Sequence, residues 1–230
     1  MNRTEKPAAM LFDLDGTLFK TETLLLPAYH ATFDALREEG VYEGPTPPDE
    51  RVLGGLGMLL EQIWERVLPD SSAEVRDRAN ELLTFEQDKR LAQGEGMLYD
   101  DVESTLKALH DEGIRLFVAS NGLEDYVKEV IRLKGLAPLF TGLYSAGEYR
   151  TKSKVDLVKR LLQDHDIQHA WMVGDRSSDV EAGHCNGLRV IGCDYAGFRS
   201  DNELDAADVR ISSFAELLQL LPGRECGSGV

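Results

Sequence analysis

Short, β-rich apolar runs alternating with helix-period segments constrain this chain more than any other feature. Ile114–Ala119 (IRLFVA), Ala170–Val173 (AWMV) and Leu188–Gly192 (LRVIG) read as strands. Between them, Glu124–Leu133, Lys154–Leu162 and Ser178–Cys185 read as helices, with Val155, Val158, Leu161 and Leu162 at helical spacing. Ala207–Ile211 reads as an edge strand ahead of a terminal helix over Phe214–Leu221. This order is the sequence form of βαβ units, so the fold class expected is α/β, a parallel sheet with helices on both faces. The first strand, Ala8–Phe12, lies far upstream. The stretch after it reads as helix over Leu24–Glu39, Asp49–Leu68 and Ser72–Leu91, with breaks at Gly40–Pro48 and Gly94–Gly96. A helical insert over residues 20–95 between the first strand and the rest of the sheet is the simplest organisation, with Trp64 and Phe85 in its core.

At 230 residues the chain is one large domain or two modest ones. Lys plus Arg is 25 against 41 for Asp plus Glu, a net charge of −16. Such a field repels phosphate backbones and anionic lipid, so no nucleic-acid polymer and no membrane surface is expected as partner. A small phosphorylated substrate remains compatible, because one local cation overcomes a distant field. No window approaches 18 apolar residues, and no signal-peptide core precedes Asp13. Cys185, Cys193 and Cys226 are odd in number and scattered, which reads as reduced thiols in a cytoplasm. Neither they nor the five histidines show zinc-ligand spacing. The C-terminal GRECGSGV is expected to fray.

Polar groups gather where strands end. Asp13-Leu14-Asp15-Gly16-Thr17 follows the first strand directly. Alternate residues of an extended segment point the same way, so Asp13 and Asp15 can face one cavity. In open α/β sheets, ligands bind at that carboxyl end. Two crowded carboxylates repel unless a cation sits between them or one holds a proton, which predicts Mg²⁺, a raised pKa, or both. Gly16 permits a sharp turn, and Thr17 offers a hydroxyl and an N–H. Ser120-Asn121-Gly122 ends another strand at a helix entrance, a place that suits an anion or a simple cap. Lys152 and Lys154 stand before a helix, where a lysine can neutralise a phosphoryl oxygen and Asp13. Asp175 follows the AWMV strand, and Asp179 lies one helical turn on. Both carry the hard oxygen ligands that Mg²⁺ takes. Each group alone also reads as a turn, a cap or a solvated charge; their order at successive strand ends is far more specific.

LFDLDGTLF, VASNG, the Lys152–Lys154 region and MVGDRSSD together resemble the four signature motifs of the haloacid-dehalogenase-type phosphohydrolase superfamily. The helical insert is similar to that family's type 1 cap, and the nearest subfamily likeness is phosphoglycolate phosphatase-like. The resemblance implies a Rossmann-like core over residues 1–19 and 96–230 and a helical cap over 20–95. It makes Asp13 the nucleophile that forms a phosphoaspartyl intermediate, and Asp15 the general acid and then the general base. It implies Mg²⁺ on Asp13, the backbone carbonyl of Asp15, and Asp175, with Asp179 binding directly or through water. Gly16, Thr17, Ser120, Asn121 and Gly122 are then the groups around the phosphoryl oxygens. Relatives often have Lys-Pro at the third motif, which this chain lacks. Spacing to Leu157 and Val158 favours Lys154, while Lys152 fits the longer spacing.

The function expected is a Mg²⁺-dependent phosphatase for a small metabolite that is phosphoglycolate-, nucleotide- or sugar-phosphate-like. The alternative is a sugar-phosphate mutase, similar to β-phosphoglucomutase, on the same scaffold. Asp15 argues against dehalogenation, since a halide leaving group needs no proton. The long separation of Asp13 from Ser120 argues against a small signalling receiver. Gly54-Gly55-Leu56-Gly57 fails as a nucleotide fingerprint and is expected to be a loop facing the site. Lys20 stands where relatives often carry Asp or Asn and reads as a solvated residue.

Overall fold

The computed structural model describes residues 5–56, 58, 60–197 and 202–222. Six parallel strands form the main sheet: β1 (Ala9–Phe12), β4 (Arg115–Ser120), β5 (Gly142–Ser145), β6 (Ala170–Gly174), β7 (Arg189–Cys193) and β8 (Val209–Ile211). Their spatial order is β5-β4-β1-β6-β7-β8. A two-stranded antiparallel ribbon joins β2 (Phe19–Lys20) to β3 (Met97–Leu98). The helices are α1 (Glu22–Glu38), α2 (Asp49–Leu53), α3 (Leu60–Val67), α4 (Ala73–Ala92), α5 (Val102–Asp111), α6 (Glu124–Leu133), α7 (Ala146–Tyr149), α8 (Lys154–Asp164) and α9 (Ser177–Cys185).

The central strands are apolar throughout because both of their faces are covered. Successive side chains alternate between faces. Met10, Phe12, Leu116, Val118, Trp171 and Val173 pack with α5 and α6. Leu11, Phe117, Ala119 and Met172 point the other way, onto Leu157, Val158 and Leu161 of α8. Strand β1 is the centre of the arrangement. Phe12 pairs with Val118 of β4 on one side and Val173 of β6 on the other. The chain leaves β1 towards β4 on one side, and β6 stacks on the other. The carboxyl end of β1 is therefore the topological switch point, where an open parallel sheet leaves a crevice.

Helices α1 to α4 share an apolar cluster of their own, built on Leu25, Tyr29, Phe33, Trp64, Val67 and Leu83. The β2/β3 ribbon ties together the two ends of this segment. Several elements differ from the expectations above. The helix expected over Asp49–Leu68 is two helices, because Gly54 and Gly55, poor helix formers, turn the chain between them. Gly57 lies outside the described residues. Phe85 is not core: it is 60% exposed, with Lys89 over its ring. It sits about 200° around α4 from Leu83, which faces inward. Strand β5, the ribbon and helix α5 were not anticipated. The terminal segment Phe214–Leu220 is a 3₁₀ rather than an α-helix. Cys193 is buried and Cys185 exposed, both free; Cys226 and the expected C-terminal fraying lie outside the described residues. Among the described residues, no helix is long and apolar enough to cross a membrane.

Phe12 sits at the end of β1 with no exposure, its ring 5.8 Å from Phe214 and 6.4 Å edge-on from Phe140. Phe12→Ala is expected to lower unfolding free energy by about 3–5 kcal/mol in a denaturant titration. The Phe85→Ala change, on the exposed face of α4, is expected to stay within about 0.5 kcal/mol.

Candidate active site

Sheet order alone brings three of the polar segments together. Ser120, Asp13 and Asp175 end or follow β4, β1 and β6, which are neighbours. The Asp13 N–H donates to the Val173 carbonyl at 2.9 Å, so β1 stays locked to β6 as it enters the site. The turn beyond needs Gly16, which has φ +80°. A Cβ on Gly16 would collide with the Asp175 carboxylate. Asp179 is fixed by the start of its own helix. Its Oδ2 accepts the Arg176 backbone N–H at 3.0 Å.

Asp13, Asp175 and Asp179 each offer an oxygen within 4.8 Å of the others, and all three are buried. Lys154, itself 3% exposed, joins two of them. Its Nζ lies 2.7 Å from Asp13 Oδ1 and 2.5 Å from Asp179 Oδ1. Burial opposes the ammonium charge, yet these two carboxylates hold the Lys154 pKa above its ordinary value. Burial and the neighbouring Asp13 raise Asp175 well above the usual carboxylate range, and burial pushes Asp179 up to about 6. One oxygen of Asp175, Oδ2, is buried without a hydrogen bond; its nearest cation is Arg176 Nε at 3.5 Å. An all-oxygen donor set, an excess of negative charge and an unbonded carboxylate oxygen fit a hard metal cation.

Asp15 is in a different setting. Thr21 Oγ1 and the Tyr126 hydroxyl both donate to its Oδ1, at 2.6 and 2.7 Å. Burial outweighs these donors and raises its carboxyl to about 6. With Oδ1 doubly occupied, Oδ2 is the oxygen left to carry a proton. Asp13, Asp15, Ser120, Asn121 and Gly122 all line one cavity of about 350 Å³, which α1, α2, α3 and α4 wall on the opposite side. Ser120 Oγ accepts the Gly122 N–H at 3.1 Å. Thr17 is fully buried, and its hydroxyl donates to Asp175 Oδ1 at 3.1 Å. Lys152 is exposed, whereas Lys154 reaches the cluster. Lys20 pairs with Asp100 at 3.1 Å. Thr21, Tyr126 and Arg176 were not singled out from the sequence. Thr21 held a visible cue, a hydroxyl residue just before a helix, but that hydroxyl goes to Asp15 instead of capping the helix.

Fold and site together define a hydrolase with an acidic centre at the switch point of a parallel sheet. Residues 10–193 match the haloacid dehalogenase-like hydrolases. The chain belongs to that family of hydrolases. It is 29% identical over 219 residues to a phosphoglycolate phosphatase of Vibrio vulnificus, covering 91% of this chain and 94% of that one. It is 26% identical over 183 residues to pyrophosphatase PpaX of Listeria monocytogenes, covering 78% and 80%. The fold is shared with a structure from Haemophilus somnus described as a predicted phosphoglycolate phosphatase. The TM-score is 0.81 at 20% identity, covering 94% of this chain and 98% of that one.

The carboxylate cluster generates a test that needs no turnover. A divalent cation is expected to raise the thermal midpoint of the purified protein by mass action. Asp175→Asn is expected to lose most of that shift, while its cation-free midpoint stays level or rises, because one of three crowded buried carboxylates is gone. A cation-induced shift of wild-type size in the variant would count against the cluster as the metal site.

Proposed function

We propose that the chain is a Mg²⁺-dependent phosphatase that hydrolyses a small phosphorylated metabolite through a phosphoaspartyl intermediate on Asp13. The observation that carries this reading is the buried Asp13–Lys154–Asp179 chain, with Asp175 beside it, opening onto the cavity that Asp15 and Ser120 also line. Two carboxylates in one cavity, one tied to an ammonium and one raised to about 6, divide nucleophilic and acid–base work.

In the first step a carboxylate oxygen of Asp13 bonds to phosphorus as the ester oxygen departs. Asp15 gives that oxygen its proton, from the Oδ2 side that Thr21 and Tyr126 leave open. In the second, water attacks the phosphoaspartate, Asp15 takes its proton, and phosphate and free Asp13 result. Ser120 and the backbone N–H of Asn121 hold phosphoryl oxygens, the Gly122 N–H orients the Ser120 hydroxyl, and Lys154 balances charge at Asp13. Thr17 positions Asp175, and Gly16 makes room for it. Asp13, the backbone carbonyl of Asp15, Asp175 and Asp179 would hold Mg²⁺, which supplies charge neutralisation for the transferring group. Residues 20–95 act as a cap: their helices wall the cavity opposite Asp13 and so exclude water. Relatives that bear the names phosphoglycolate phosphatase and pyrophosphatase support a small substrate, and the cavity volume suits one.

A phosphate-release assay over a metabolite panel, with Mg²⁺ and with chelator, tests the proposal. Asp13→Asn is expected to lose at least about a thousandfold in kcat; undiminished hydrolysis by that variant overturns the covalent mechanism. Isomerisation of a sugar phosphate without phosphate release would favour the mutase instead. Asp15→Asn is expected to lose about 10²–10⁴-fold on alkyl phosphates. In kcat/KM, which reports phosphoryl transfer to Asp13 and not the later hydrolysis, the loss should be much smaller on p-nitrophenyl phosphate, whose leaving group departs without a proton. Equal losses on both would remove Asp15 from the general-acid role.

A further inference from the structure

The cavity holds groups for a phosphoryl end and very different groups for whatever is attached to it. Its far wall is apolar, from Leu25, Val52, Leu56, Ile63 and Leu83. Neutral polar groups interrupt that wall at Asn80, Thr84 and Gln87, all on α4 or its inner face towards the site. At the rim stand three carboxylates, Asp88 of α4 and Glu124 and Asp125 of α6, with Glu124 paired to Lys128. Among the described residues, no Lys, Arg or His lines the cavity. The arginines of the α2–α3 region are oriented by backbone carbonyls. Arg51 donates to Val67, Arg66 to Arg51, and Arg176 to Leu53. Lys128, behind the rim, is held by Glu124 and Glu148.

Building on the phosphatase reading above, we infer that the enzyme selects phosphomonoesters whose leaving group carries no second anion, being a neutral hydroxylated or a cationic group. A carboxylate or second phosphate entering this end must shed water against aliphatic side chains, meets no cation, and lies near Asp88 and Asp125. A hydroxyl or ammonium finds the Gln87 amide, the Thr84 hydroxyl oxygen and carboxylates instead, while the Asn80 oxygen is shared with Trp64 Nε1. Burial, with Asp125 and Glu129 nearby, raises the Asp88 carboxyl above its ordinary value. Phosphoglycolate and pyrophosphate, the compounds in the relatives' names, both place an anion at this end. On this inference neither compound is a favoured substrate of this chain.

Size-matched esters test the inference. With the full-length protein and Mg²⁺, kcat/KM is compared for 2-hydroxyethyl phosphate, ethanolamine phosphate and phosphoglycolate. Glycerol 3-phosphate is likewise compared with 3-phosphoglycerate. Every ester, and pyrophosphate, is also read as a competitor of p-nitrophenyl phosphate hydrolysis, so a slow substrate still reports its affinity. The neutral and cationic members are expected to exceed the carboxylated ones by at least about tenfold, in turnover or in competition. Asp88→Lys is expected to narrow that gap severalfold. A carboxylated ester that matches or beats its neutral partner overturns the inference, as does a gap that Asp88→Lys leaves unchanged. Absence of phosphate release from every compound, p-nitrophenyl phosphate included, would instead sink the phosphatase reading on which the inference stands.

Discussion

The rest of the site depends on one electrostatic constraint: three buried carboxylates lie together with a single ammonium between two of them. At 4.8 Å or less, each like-charged pair repels by roughly 3 kcal/mol at an effective dielectric constant near 20. A solvated turn would relax that strain by swinging a side chain into water. Here the backbone forbids it. Asp13 is locked to β6, Asp175 is pressed against Gly16, and Asp179 is held by the Arg176 backbone N–H. Lys154 then ties the start of α8 to the end of β1 and the start of α9 in one contact. Removing that ammonium would strand two buried carboxylates, so the lysine is structural and chemical at once.

Local hydrogen bonding shows how the chain spends its short polar side chains. Thr21 precedes α1, where a threonine ordinarily caps the helix with its hydroxyl, but that hydroxyl goes to Asp15. Thr17 lies in the turn after β1 and gives its hydroxyl to Asp175, while its carbonyl accepts from Tyr195 at 2.7 Å. Tyr126, in the first turns of α6, reaches across 111 positions of sequence to the same Asp15 oxygen as Thr21. Ordinary turn and cap groups have been diverted to hold carboxylates. The result is a nucleophile candidate and an acid candidate, two residues apart, with different surroundings.

Legibility in the sequence followed the range of the interaction. Asp13, Ser120 and Asp175 were visible because a strand end in a βα unit is a local pattern, and parallel order brings such ends to one rim. Lys154 could be preferred over Lys152 from its spacing to Leu157 and Val158, and it is Lys154 that is buried against Asp13. Tyr126 left no such trace, since nothing near it in the chain says that Asp15 will be opposite. Strand β5 was missed because Gly142-Leu143-Tyr144-Ser145 is short, begins with glycine, and is stabilised mainly by pairing with β4. Phe85 was misread for the opposite reason: composition favoured burial, but its angular position on α4 put it in water.

Arg176 joins these levels. Its guanidinium is buried and points in three directions: towards Asp175 Oδ2 at 3.5 Å, Glu203 Oε1 at 2.8 Å and the Leu53 carbonyl at 3.1 Å. Leu53 is the last residue of α2, where helical carbonyls have no partner within the helix. Val52 and Leu56, on either side of it, line the cavity. The guanidinium's several N–H donors, spread over a planar fork, reach acceptors on separate segments. The same side chain therefore borders the acidic centre and anchors the wall that meets the leaving group. Its charge is absorbed by Glu203, by Asp175 and by a backbone carbonyl, which keeps a cation close to the cavity without adding one to its lining. An arginine turned inward would welcome a carboxylate; held on Leu53 and Glu203, it leaves the leaving-group end to aliphatic and amide groups.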